Sequence, residues 1–243
     1  MGVLQRISLS YLILSFSYLF LNPFWLHFIF IPSCLAVYIG LMHGYPVPPF
    51  DANNLCGRGV LTPACNFGAY VDQHVFGKKY MIWPNDPEGL FTTLTSLVNT
   101  FAGLCFSLLM RRNSQKKGSN NDLVKYWLYF TLILVTIGGL LTIFEPVNKK
   151  RWSASFAFYT SALSGGALCL CFYLVDILNK PFIKEKLCLP FLWLGMNPLF
   201  IFVAMMFFDN LLMDNIIFDD SEGETWSLWD YLNEKALNSW IGN

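Results

Sequence analysis

The chain has 243 residues, of which 55% are hydrophobic, 17% aromatic and 13% charged, whereas a soluble domain carries about 25% charged residues. Sixteen basic and sixteen acidic side chains cancel, so no basic field directs the chain to nucleic acid, and the apolar excess excludes a disordered chain. Seven cysteines without a CxxC pair exclude a disulfide-dense scaffold and offer no metal site.

What remains is an all-α, polytopic membrane protein. Runs long enough to cross a bilayer need about 20 apolar residues. Six stand out, at Ile7–Leu21, Phe24–Met42, Leu90–Met110, Leu123–Phe144, Ser153–Ile177 and Leu187–Leu212. Between the first two lies only Asn22-Pro23. Proline disfavours helix in the residue before it, which predicts a tight helical hairpin, with one long kinked helix as the alternative.

Six spans sort the loops onto two faces. One holds Asn22-Pro23, the 111–122 loop and the 178–186 loop. The other holds the N-terminus, the long 43–89 segment, the 145–152 loop and everything after Asp209. Arg111, Arg112, Lys116, Lys117, Lys180, Lys184 and Lys186 lie in the short loops of the first face, which the positive-inside rule makes cytoplasmic. The second face is then lumenal or extracellular, although Lys149, Lys150 and Arg151 make a basic loop there. The 43–89 segment is too long for a simple connector. Its prolines at 46, 48, 49, 63, 84 and 87 predict an irregular loop with short helical pieces. Residues 213–243 form a tail in which Thr225–Asn238 can make an interfacial amphipathic helix with Trp226, Leu228, Trp229, Leu232 and Leu237 on one side.

The chemistry-bearing residues gather on the second face. Asp86-Pro87-Glu88-Gly89 precedes the third span. Asp86 can be an N-cap with Pro87 as first helical residue and Glu88 in the positive first turn. The same carboxylates can bind an ammonium group or orient an imidazole, and both readings can hold together. In Glu145-Pro146-Val147-Asn148-Lys149-Lys150-Arg151-Trp152 the cations read as a solvated or lipid-contacting patch. Asn148 and Trp152 can alternatively offer an amide and an aromatic wall to a sugar. Arg6 either snorkels or pairs with a carboxylate or phosphate, and Asn197, inside a span, reads as interhelical glue. His27, His43 and His74 lie at no metal-ligand spacing. Cys56 and Cys65 share a loop on the oxidising side and are expected to form a disulfide.

Several motifs in one order resemble a known family. Gly2-Val3-Leu4-Gln5-Arg6, Leu61-Thr62-Pro63-Ala64-Cys65-Asn66 with Gly68, Tyr70, Val71 and Asp72, Asp86-Pro87-Glu88-Gly89-Leu90, Pro146-Val147-Asn148-Lys149 with Trp152-Ser153, and Gly195-Met196-Asn197 are similar to the transmembrane acetyltransferases typified by heparan-α-glucosaminide N-acetyltransferase. The resemblance implies a transmembrane acyltransferase-like domain over 1–212, with acetyl-CoA as cytosolic co-substrate and no metal. It implies a terminal glucosamine of heparan sulfate, or a related amino sugar, as acceptor in the lysosome or another endomembrane compartment. Asp86, Glu88, Asn148, Trp152 and Asn197 would line the substrate site, and Arg6 would brace it. The family's catalytic histidine lies upstream of the Gly-Val-Leu-Gln-Arg motif, which here begins at residue 2. No catalytic residue is therefore assigned, and the chain is expected to be a C-terminal part, inactive alone. Its partners would be membrane lipids, the acceptor, and the N-terminal part or a second copy. A non-enzymatic membrane subunit that reuses the fold is the alternative.

Overall fold

The computed structural model describes residues 2–49, 56–77, 86–116, 118–215, 217–219 and 225–233. Among these, five helices are long and apolar enough to cross a membrane: α1 (Val3–Phe20), α2 (Pro23–Gly44), α4 (Thr93–Gln115), α5 (Asn120–Thr142) and α6 (Ala154–Ile177). A short helix, α3 (Phe67–Phe76), lies in the long loop. The chain is an all-α, multi-pass membrane protein.

The α1–α2 junction follows from local chemistry. Leu21 leaves the helix in an extended conformation, and the Asn22 side chain caps the next helix by accepting from the Trp25 N–H at 3.0 Å. Pro23 occupies the first helical position, where its missing donor costs nothing. Arg6 and Ser10 of α1 meet Thr92 and Ser96 in the same chain direction. His27 and Tyr38 of α2 meet Phe101 and Phe91 in the reverse direction. The two helices are therefore antiparallel, a hairpin lying along α4.

Against the other side of α4 pack α5 and α6, around Val98, Phe106, Trp127, Leu134, Ala157 and Ala162. Small residues let these helices approach. A Cβ on Gly165 would stand 2.2 Å from the Phe106 ring, and one on Gly138 3.3 Å from Phe158.

By its contacts the chain divides into two units, Met1–Ile177 and Leu178–Asn243. In the second, α7 (Cys188–Met196) and α8 (Pro198–Asn210) are the sequence-predicted sixth span. They meet at an 83° bend, because Asn197, the residue before Pro198, takes φ −129°, ψ 51° and leaves the helical region. The Asn197 amide donates to the Trp193 carbonyl at 3.2 Å, so it finishes its own helix. Ile217–Asp219 (β1) pairs antiparallel with Thr225–Ser227 (β2). The helix expected from Thr225 onward begins instead at Leu228, as α9 (Leu228–Leu232); Leu237 lies outside the described residues.

Candidate functional site

Buried polar chemistry in the first unit collects at one end of the bundle, where α1 begins, α2 ends, α4 begins and α5 hands over to α6. Arg6, in the first turn of α1, is 4% exposed. Its guanidinium donates to the Pro87 carbonyl at 2.8 Å, and to the Thr92 carbonyl and hydroxyl at 2.8 and 3.2 Å. Regular α4 starts only at Thr93, after the lead-in turn 86–92, so the Pro87 carbonyl lies outside the helical ladder, while the Thr92 carbonyl is shared with the Ser96 N–H at 3.4 Å.

That turn is pinned by two carboxylates. Asp86 accepts from the Glu88 N–H at 2.9 Å, an Asx-type turn ahead of the helix. Pro87 is therefore not the first residue of α4. Asp72, fully buried on α3, accepts from the Leu90 N–H at 2.8 Å. Its second oxygen is buried without a hydrogen bond and is packed on Gly89, where a Cβ would stand 2.0 Å away. Burial drives the Asp72 pKa up to about 6, against the Leu90 hydrogen bond.

The α5–α6 loop supplies the other wall. Trp152 adopts φ +50°, a conformation a bulky residue holds only where its surroundings impose it. Its carbonyl accepts from Thr95 at 2.7 Å, and its indole N–H donates to Asn99 at 3.1 Å. The Asn99 amide nitrogen is in turn anchored on Ala157, Thr160 and Ser161. So held, the indole lies 4.3 Å from the Arg6 guanidinium carbon, a cation–π contact.

Asn148, exposed on this loop, holds the turn through its side-chain oxygen. Its side-chain oxygen accepts from the Arg151 N–H at 3.1 Å, and its own N–H donates to Ser153 at 3.0 Å. The expected solvated patch at Lys149–Arg151 is corrected at Arg151, which is 5% exposed. It donates to the Leu61 carbonyl at 2.6 Å and pairs at 3.4 Å with Glu145. Glu145, 2% exposed, also accepts from Tyr38 at 2.8 Å and from the Ala154 N–H at 3.0 Å. Paired and hydrogen-bonded, these charges can be buried. Sequence reasoning missed Tyr38, Glu145 and Arg151 as a group, and also Asp72 as a buried carboxylate. The available signal was a carboxylate directly after an apolar span with an arginine six residues later.

Cys56 and Cys65 are joined by a disulfide with a Cα–Cα distance of 5.1 Å. The stretch it closes contains Leu61, so Arg151 ties the long loop to the α5–α6 loop. The disulfide-closed stretch 56–65 and the 145–152 loop thus meet at one end of the bundle.

Glu88 is half-buried in this frame and is the first electrostatic partner of Arg6, with Asp86 next. Its carboxylate makes no hydrogen bond or ion pair among the described residues. None of the three histidines contacts Arg6, Glu88 or Trp152 among the described residues. His27 contacts the Pro23 carbonyl and Phe101, and His74 contacts the Tyr70 carbonyl. His43 lines a cavity of about 310 Å³ with Glu145 and apolar side chains. No metal-binding cluster occurs among the described residues. Arg6 is brought against Trp152 and into the field of Glu88; Asp86 and Asn148 shape the turns that carry Glu88 and Trp152, and Asn197 lies in the second unit.

No family model matches the chain. It is 26% identical to human heparan-α-glucosaminide N-acetyltransferase and 24% identical to the mouse protein of the same name, each over 253 aligned positions covering 86% of this chain. The chain spans 37% of the length of these curated relatives. It is, then, a multi-pass membrane protein with a resemblance to a membrane acetyltransferase.

Proposed function

We propose that the chain carries the acceptor-binding end of a membrane acetyltransferase, which passes acetyl from acetyl-CoA to the amine of a terminal glucosamine of heparan sulfate or a related sugar. A lysosomal or other endomembrane setting, with this end lumenal, belongs to the same reading. The observation that carries it is Glu88: a half-buried carboxylate in the field of a braced arginine, whose oxygens make no hydrogen bond or ion pair among the described residues. Such a group suits an ammonium, which it would bind by a charge-assisted hydrogen bond. Arg6 fixes the lead-in turn from which Glu88 projects, and itself lies over the Trp152 indole. In the transfer the amine nitrogen bonds to the acetyl carbon, the carbon–sulfur bond breaks, and the proton lost by nitrogen is matched by one gained by the thiol.

A second reading, a non-enzymatic membrane subunit, is favoured by one observation. Among the described residues no imidazole contacts Arg6, Glu88 or Trp152, and a carboxylate is far more acidic than the base such an amine needs. Transfer of labelled acetyl from acetyl-CoA to glucosamine, by the full chain in proteoliposomes, separates the two. Turnover lost in Glu88→Gln supports the first reading, and turnover that survives the substitution overturns the role of Glu88. Loss in His43→Ala alone would move the chemistry to His43. Binding of glucosamine without any turnover is what the second reading predicts.

A further inference from the structure

At the far end of α4 and α5 lies a cavity of about 400 Å³, between Leu109, Arg112 and Lys116 on one side and Ser119, Asp122 and Tyr126 on the other. The 23 residues of α4 place it about 30 Å from the Arg6 cluster along the helix, one hydrocarbon thickness away. Its walls are therefore where two spans leave the bilayer.

The charges of the cavity are unbalanced. Arg112 and Lys116 make no ion pair among the described residues, and the one lining carboxylate, Asp122, is paired with Lys125 at 3.2 Å. Opposite the two cations stands the N-terminus of α5, capped by Ser119, the end of a helix that favours anions. Shape is set by Gly118. Its N–H donates to the Asn113 carbonyl at 3.0 Å, and a Cβ there would stand 2.3 Å from the Asn113 side-chain oxygen. Below the polar rim the lining turns apolar at Leu109, Leu123 and Tyr126. Tyr126 and Tyr129, each 62% exposed, continue that surface along α5.

We propose that this cavity binds a phosphate group, with two cations and a helix N-terminus on the phosphate. Its position between two spans, with exposed apolar side chains below, favours the headgroup of an anionic phospholipid; phosphate on a soluble ligand is the other source. Basic pockets between membrane helices hold anionic headgroups in this way. The site does not depend on the acetyl-transfer reading.

The test uses the purified full chain in a neutral detergent. Retention of phosphatidylglycerol and phosphatidylcholine is measured by native mass spectrometry, and the effect of inorganic phosphate by thermal unfolding. Arg112 and Lys116 are both exposed, so Arg112→Gln/Lys116→Gln leaves the packing untouched. Arg58→Gln/Lys149→Gln removes equal charge at the other end. Phosphatidylglycerol retained over phosphatidylcholine, about 25-fold weaker in the first double variant at about fivefold per cation and unchanged in the second, supports a lipid site. Stabilisation by inorganic phosphate that the first variant loses, with no preference for phosphatidylglycerol, supports a soluble source. Equal binding of both probes by wild type and Arg112→Gln/Lys116→Gln, or equal loss in the control, overturns the proposal.

Discussion

Replacing Asp72 by Asn should change how stability depends on pH. The Asp72 carboxylate is fully buried and carries one hydrogen bond, from Leu90, while its other oxygen has none. Burial raises its pKa from 3.8 to about 6; the Leu90 bond and Arg6 oppose the shift, and Asp86 adds to it. The folded chain therefore holds this proton more tightly than the unfolded chain does. Its contribution is most favourable below about pH 4, declines as pH rises toward about 6, and is level above that. A rise from 3.8 to about 6 corresponds to at most about 3 kcal/mol. Asn keeps an oxygen for the Leu90 N–H and removes the charge, so Asp72→Asn should flatten this part of the profile and be at least as stable as wild type at neutral pH. Equilibrium unfolding in mixed micelles at a series of pH values, for both proteins, isolates the Asp72 contribution as a difference. An identical pH slope in the two proteins, or a difference of opposite sign, would refute the reasoning.

Four other substitutions probe the same end of the bundle. Arg151→Met should cost about 3–5 kcal/mol, because it strands the buried Glu145 charge, and adding Glu145→Gln should restore much of the loss; a double-mutant cycle in unfolding reads this directly. Gly89→Ala should destabilise by about 1–3 kcal/mol or more, since its Cβ would fall 2.0 Å from Asp72. Cys56→Ser/Cys65→Ser, which opens a loop of sequence separation 9, should cost about 2.5 kcal/mol in the chain-entropy account, and mass spectrometry of the wild type should find neither thiol free. Asn99→Leu should cost about 1–3 kcal/mol, by leaving the Trp152 indole N–H without its acceptor, and should alter Trp152 fluorescence.

Most of the fold was legible because long apolar runs leave few choices. The hairpin at Asn22-Pro23 follows from proline's effect on its neighbour, and the same logic at Asn197-Pro198, not applied from sequence, would have divided the predicted sixth span. The first span begins at Val3 rather than Ile7, because Arg6 finds carbonyls at Pro87 and Thr92 and need not reach water. No local pattern announces partners more than 80 residues away. For the same reason Arg151 read as one of three surface cations: only the fold brings Leu61 and Glu145 to it. Glu88 and Trp152 could be singled out by type and by place at a membrane mouth. Asn148 could be singled out too, but not that its side-chain oxygen accepts from the Arg151 N–H, a bond set by the backbone geometry of 148–153.

The most direct measurement is the affinity of glucosamine for the full chain in nanodiscs, by calorimetry, for wild type and Glu88→Gln, with N-acetylglucosamine as the neutral comparison. If Glu88 receives the acceptor's ammonium, wild type binds glucosamine about tenfold to a hundredfold more tightly than Glu88→Gln does, as expected for a charge-assisted hydrogen bond of about 1.5–3 kcal/mol, and N-acetylglucosamine is indifferent to the substitution. Equal affinity of wild type and Glu88→Gln for glucosamine would contradict the assignment of this end of the bundle as the acceptor site.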